Sequence, residues 1–215
     1  TSTGRILAKA INCINGGKSE PCNACEMCQA ITKGSALDII EIDAASNRKI
    51  DDVRDLRETA RFAPAAARYK VYIIDEVHML TTEASNALLK TLEEPPPRVV
   101  FVLATTEPHR LLPTILSRCQ RFDFRKLSHS AVVSKLMRVC QEEGITIEAQ
   151  GLGLIARSVS GSLRDAENLL QQLVAYYGDR IDTHQVEDTL GITTDSRVKQ
   201  LASQIVKRDV SAGLA

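Results

Sequence analysis

The sequence has no tryptophan, and its few phenylalanines and tyrosines bring the aromatic share to only 4% of 215 residues. A packed core must therefore be aliphatic, and at 44% hydrophobic content the chain can bury one. Charge of one sign is not in excess either: 27 Lys and Arg face 27 Asp and Glu. That balance argues against a globally basic nucleic-acid binder and leaves a local basic stripe open. No apolar run approaches the roughly 20 residues that span a bilayer. No secretory leader is visible, although residue 1 is Thr and not Met. Cysteine, by contrast, is crowded. Four of the six Cys lie between positions 13 and 28, which points to metal binding in a reducing compartment and not to a disulfide framework.

Those four are Cys13, Cys22, Cys25 and Cys28. Zn²⁺ takes four ligands in a tetrahedron and prefers thiolates, and a Cys-x2-Cys spacing lets two sulfurs reach one metal from a tight turn. Pro21 and Asn23 supply turn chemistry, and Asn15-Gly16-Gly17 lets the chain fold back from Cys13. The cluster holds no His and no acid placed to activate water. Four thiolates leave no open position, so the spacing predicts a structural zinc site. Cys119 and Cys140 stand alone and read as small buried hydrophobes.

The chain is organised around Lys70-Val-Tyr-Ile-Ile-Asp-Glu-Val-His78. Val71 to Ile74 reads as a strand buried on both faces of a parallel sheet. Asp75 and Glu76 follow it, at the end where open α/β sheets bind ligands. One such acid can hold Mg²⁺ and the next can activate a water, as in the Walker B segment of a P-loop ATPase. The plainer alternative is a turn after a strand.

Further strands are expected at Leu37–Asp43, Val99–Ala104 and Arg121–Phe124. Helices are expected over 1–12, from Ser46 to near Pro64, from Thr81 or Thr82 to Glu93, and from Pro113 to Ser117. Alternating strands and helices make an α/β fold, a parallel sheet covered on both faces. Thr1 is a Mg²⁺-binding hydroxyl of the kind that enters a P-loop helix, or else Thr1 or Ser2 is an ordinary N-cap. Thr105 and Thr106 end the third strand, where hydroxyls can orient a water or simply turn the chain. From Ser46 to Lys70 seven basic residues face four acids. Such a surplus is usually a solvated helix face, and it is where phosphate contacts would be sought.

After Ser128 only helices are expected, near Ser128–Glu143, Glu148–Ser158, Ser162–Tyr177, Thr183–Leu190 and Asp195–Lys207, punctuated by Gly144, Gly161, Gly178 and Gly191. Arg164, in the first turn of the third, is a phosphate clamp or a surface Arg paired with Asp165 or Glu167.

Together these pieces resemble one family. A helix like the one after the Walker A Gly-Lys, the Cys₄ insert, Asp43-Ala-Ala-Ser46, Asp75-Glu-Val-His-Met-Leu80, Asn86 to Pro95, Ile115-Leu-Ser-Arg-Cys119 and Gly161-Ser-Leu-Arg-Asp-Ala166 occur in this order. They resemble the gamma/tau subunits of bacterial DNA polymerase III clamp loaders, which are AAA+ ATPases. The resemblance implies an AAA+ domain at 1–127 with a zinc insert at 13–34, an all-α lid at 128–191 and the start of a helical collar at 192–215.

It also implies roles. Thr1 and Asp75 would hold Mg²⁺, Glu76 would be the base, and Thr105 or Thr106 would be sensor 1. Arg164 would be the sensor 2 arginine, and Arg118 an arginine finger acting in trans on a neighbour's ATP. Cys13, Cys22, Cys25 and Cys28 would hold zinc. The implied cofactors are ATP, Mg²⁺ and Zn²⁺. The implied partners are the other subunits of a hetero-pentamer, a sliding clamp, primer-template DNA and, through a tail, the polymerase core, all in the bacterial cytoplasm. The Walker A loop would precede Thr1 and the collar would continue past Ala215. The expectation is therefore a piece of a longer ATPase, inactive by itself. Rival readings are a non-hydrolysing delta-prime-like stator, a helicase built on Asp75-Glu-Val-His78, and a zinc-stapled adaptor.

Overall fold

The computed structural model describes residues 1–16, 20–47 and 50–191. The chain divides into two compact units, Thr1–Phe122 and a second that starts at Asp123. The helix expected at Asp195–Lys207 and the collar at 192–215 lie outside the described residues, as do Gly17, Arg48 and Lys49.

The first unit runs α1 (Ser2–Asn12), α2 (Glu26–Lys33), β1 (Ile39–Asp43), α3 (Ile50–Ala60), β2 (Lys70–Asp75), α4 (Thr82–Glu93), β3 (Val99–Leu103) and α5 (Pro113–Leu116), with 3₁₀ turns at Val77–Met79 and Pro108–Arg110. The strands form a parallel sheet in the order β1-β2-β3. Val71, Tyr72, Ile73 and Ile74 of β2 are all within 1% of full burial. Strand side chains alternate between faces, and the packing follows that alternation. Tyr72 and Ile74 join Val53, Leu56 and Ala60 of α3 and Ala84 and Leu88 of α4 in one core. Val71 and Ile73 join Ala8 of α1 and Ile31 of α2 in another. Each Val, Leu or Ile side chain so buried contributes about 1.5–3 kcal/mol. This is why a chain poor in aromatics still has two cores. The Tyr72 hydroxyl meets Thr59 Oγ1 at 3.1 Å and its ring stacks on Phe101 at 5.4 Å.

Polar ties fix the elements around β2. Asn12, at the end of α1, brackets the backbone of Tyr69: its Oδ1 accepts from Tyr69 N at 2.8 Å and its Nδ2 donates to Tyr69 O at 3.0 Å. Lys70 donates through Nζ to the carbonyls of Thr59 and Phe62 at the end of α3. Asp38, buried before β1, accepts from the backbone N–H groups of Ala65, Ala66 and Ala67, each at 2.8 Å. Gly4 lets α1 lie against β2, since a Cβ there would stand 3.0 Å from Ile73 Cγ2.

The strand expected at Arg121–Phe124 does not form; the segment is irregular. A strand needs a neighbour with which to exchange backbone hydrogen bonds. Among the described residues no strand pairs with it, and Phe122 and Phe124 are exposed.

The second unit holds α6 (His129–Glu143), β4 (Thr146–Ile147), α7 (Ala149–Ser158), α8 (Leu163–Tyr177), β5 (Arg180–Ile181) and α9 (Thr183–Leu190). Ser128 and Ser162 cap α6 and α8 through their hydroxyls, and Asp182 with Gln185 forms a capping box on α9. Val132, Leu136, Leu152, Ile155, Leu170, Leu173 and Val186 share its core. The two-residue strands β4 and β5 pair in parallel and depart from the all-helical expectation. They are too short to show any alternation of apolar and polar residues.

Candidate active site

The tip of β2 is gripped from both sides. Ala44 N donates to Asp75 O at 2.9 Å, Ala104 N to Ile74 O at 2.9 Å, and Val77 N to Ala104 O at 3.0 Å. In register, Asp43 stands beside Asp75. The chain then turns sharply. Glu76 has φ 47° and ψ 44°, a left-handed conformation that a side chain with a Cβ rarely takes. Its backbone N–H donates to Asp75 Oδ1 at 3.1 Å. The two carboxylates therefore leave the strand tip in separate directions.

Asp75 faces the mouth of α1: its Oδ2 lies 3.6 Å from the backbone nitrogen of Thr1. Thr1 occupies the N-cap position, yet its side chain makes no capping hydrogen bond. Glu76 faces the end of β3. Its Oε2 accepts from Thr106 Oγ1 at 3.0 Å and from Thr106 N at 3.4 Å. Thr105 turns the other way and meets His78 Nδ1 at 2.9 Å. The fold thus brings Thr1, Asp75, Glu76, Thr105 and Thr106 to one edge of the sheet, at the carboxyl ends of its parallel strands. Two residues with no role assigned from sequence also lie there. His78 places Nδ1 3.3 Å from Glu76 Oε2 and Nε2 3.3 Å from Glu107 Oε1. The signal for His78 in the sequence was the string Asp75-Glu-Val-His78, and nothing there marked Glu107.

Two further candidates, Arg118 and Arg164, have surroundings of their own. Arg118 follows α5 and is one-third exposed; its Nη2 donates to Glu93 Oε1 at 2.6 Å and its Nη1 to Thr114 O at 2.7 Å. Arg164 is exposed in the first turn of α8, in the second unit, and among the described residues no ion pair joins it to Asp165 or Glu167. Cys119 and Cys140 have thiols raised by burial.

The four clustered cysteines converge: their Sγ atoms all lie within 4.8 Å of one another. Zn–S bonds of about 2.3 Å put the sulfurs of a tetrahedral site about 3.8 Å apart, so the donor set is compatible with zinc. Backbone N–H groups point at the sulfurs, with Cys22 N donating to Cys13 Sγ and Cys25 N to Cys22 Sγ. The amides of Cys28 and Ile14 hold the Cys25 thiol down to about 6, while burial pushes Cys28 up to about 12.

Residues 1–128 match the family model described as DNA polymerase III, delta subunit. Residues 131–179 match that of the DNA polymerase III clamp loader subunit, ATPase lid domain. The chain is 48% identical over 217 residues to the tau subunit of DNA polymerase III from Bacillus subtilis, covering 100% of this chain and 38% of that protein. It is 45% identical to the tau subunit from Escherichia coli, covering 96% of this chain and 32% of that protein. The chain thus spans about a third of the length of these relatives. In fold it is similar to the RuvB Holliday junction branch migration motor of Thermotoga maritima, with a TM-score of 0.60 at 19% identity over 82% of this chain and 62% of that one. At that identity the likeness speaks to the fold alone, a parallel-sheet AAA+ domain followed by a helical lid.

Proposed function

The chain belongs to the gamma/tau family of DNA polymerase III clamp-loader subunits, and from that premise we propose that it is the motor portion of an ATP-hydrolysing subunit that loads a sliding clamp onto primed DNA. The observation that carries this reading is the divergence of Asp75 and Glu76 at the tip of β2, one facing the mouth of α1 and the other held by Thr106.

Asp75 and the Thr1 hydroxyl would hold Mg²⁺, which when bound with ATP neutralises charge on the phosphates. Glu76 would accept the proton of the attacking water. Its Oε2 takes the Thr106 bonds, and Oε1 takes none of them. Thr106 is therefore the better sensor 1 candidate of the two threonines, because it touches the base itself. Arg118, which follows α5 and pairs with Glu93, suits a role on the neighbouring protomer's phosphates. Such fingers are worth about 10³–10⁵ in rate. Arg164 would serve as the lid's phosphate ligand, and the Cys₄ cluster would hold a structural zinc. We place the lid at 128–191 and the start of the collar at 192–215. The partners proposed are the other subunits of a pentamer, the clamp and primer-template DNA, in the bacterial cytoplasm.

The test is Glu76→Gln in the full gene product. It keeps size and hydrogen bonding but removes the base. The expected result is ATP binding near the parent level with turnover lowered by at least about 10²-fold. Turnover at the parent level would remove Glu76 as the base, and a parent with no turnover at all would refute the reading in favour of an adaptor.

A further inference from the structure

His78 sits on the 3₁₀ turn just past the strand tip, with its side chain only 5% exposed. Three partners surround the ring. Nδ1 lies 2.9 Å from Thr105 Oγ1 and 3.3 Å from Glu76 Oε2, and Nε2 lies 3.3 Å from Glu107 Oε1. A neutral imidazole carries one N–H, so it can donate to only one of these two carboxylates at a time. Glu107 has a second suitor: Arg110 Nη1 reaches the same Oε1 at 3.1 Å from the exposed 3₁₀ turn Pro108–Arg110. His109 Nε2 lies 3.6 Å from Glu107 Oε2.

We propose that His78 is a positioning residue for Glu76, and that Arg110 controls it by occupying Glu107. This inference rests on the ATP-hydrolysis reading above. While Arg110 satisfies Glu107, the ring keeps its N–H on Nδ1, between the Thr105 hydroxyl and the Glu76 carboxylate, and holds the base beside Thr106. When Arg110 is drawn off, Glu107 competes for the ring, and Glu76 keeps only the Thr106 bonds. The exposed turn is thereby an input to the base, transmitted through one buried ring. A bidentate-capable guanidinium on the outside and a carboxylate on the inside make the turn responsive to an incoming anion, which would take Arg110 from Glu107.

The test uses the full gene product in its reconstituted assembly, reading ATP turnover, nucleotide affinity and thermal unfolding. Arg110→Ala should lower kcat by about fivefold or more and leave nucleotide affinity within about twofold, the pattern of a lost transition-state contact. Adding Glu107→Ala should restore kcat, because the competitor is gone; such suppression is not expected of two independent surface changes. His78→Ala should lower kcat by about tenfold. His78→Asn, which keeps a donor near the Nδ1 position, should recover most of it. An Arg110→Ala effect that persists unchanged in the Glu107→Ala background overturns the proposal, and so does a folded His78→Ala with parent kcat. If His78→Ala does not fold, the Arg110 and Glu107 pair decides alone. Undiminished turnover by Glu76→Gln would mean that Glu76 is not the base and that the reading beneath this proposal had failed, independently of the result at Arg110.

Discussion

Asp75 Oδ2 stands 3.6 Å from the backbone nitrogen of Thr1, so the end of the central strand lies beside the start of the first helix. A cation shared between the Asp75 carboxylate and the Thr1 hydroxyl would tie the same two elements. Asp75→Asn should therefore raise the Mg²⁺ concentration needed for half-maximal turnover of the full gene product. At saturating metal it should still lower kcat by about 10²-fold, the loss of a few kcal/mol of charge stabilisation. A Mg²⁺ titration of parent and variant checks this, and unchanged metal dependence would remove Asp75 from the site.

Arg118→Ala should change stability by less than about 1 kcal/mol, since its pair with Glu93 is partly exposed. Turnover should fall by about 10³-fold. Mixed assemblies separate trans from cis action. A subunit carrying Glu76→Gln retains its arginine, and one carrying Arg118→Ala retains its base, so a junction between them should regain activity. Absence of complementation would place Arg118 outside the neighbour's site.

Asp38 gives a pH signature to stability. Burial raises its carboxyl pKa, but the N–H groups of Ala66, Ala67 and Ala65, with help from Lys70, outweigh this and hold it below the usual range. A depressed folded pKa means stabilisation that is present above the unfolded value, about 3.9, and lost as pH falls through the folded one. Asp38→Ala leaves three amides without their acceptor and should cost about 2–4 kcal/mol at pH 7. The gap between parent and variant should narrow below about pH 4. Urea unfolding at pH 7 and at low pH measures both numbers.

A zinc ion held by the Cys cluster, as proposed, should be released by disturbing any one of the four thiols. Cys28 is fully buried, so Cys28→Ser should remove bound zinc and lower the melting temperature, as should a strong chelator acting on the parent. Elemental analysis and thermal unfolding together check it. A parent that carries no zinc, or a melting point indifferent to chelation, would reduce the cluster to a packing feature.

Much of this was legible in the residues because the signals were local. β2 declares itself through an unbroken apolar run, and α4 through Thr81 at its cap and the proline run after Glu94. The Cys spacing needed no fold to be read. The failures came where pairing decides. Arg121–Phe124 alternates like a strand, but alternation cannot supply a neighbouring backbone. Thr105 and Thr106 are indistinguishable in sequence, and only the turn after β3 sends one to His78 and the other to Glu76. The place of Glu107 beside His78 was invisible for the same reason, since a carboxylate in a loop looks solvated until a buried ring is found against it.

On the proposed role of Glu76 as the base, its left-handed backbone sets stability against function at a single position. A glycine or asparagine there would relieve roughly 1 kcal/mol of conformational cost. Directed evolution for heat tolerance alone would favour that exchange and discard the acid. A thermostabilised version of this domain should therefore be selected with turnover as a second criterion, or codon 76 should be withheld from the library.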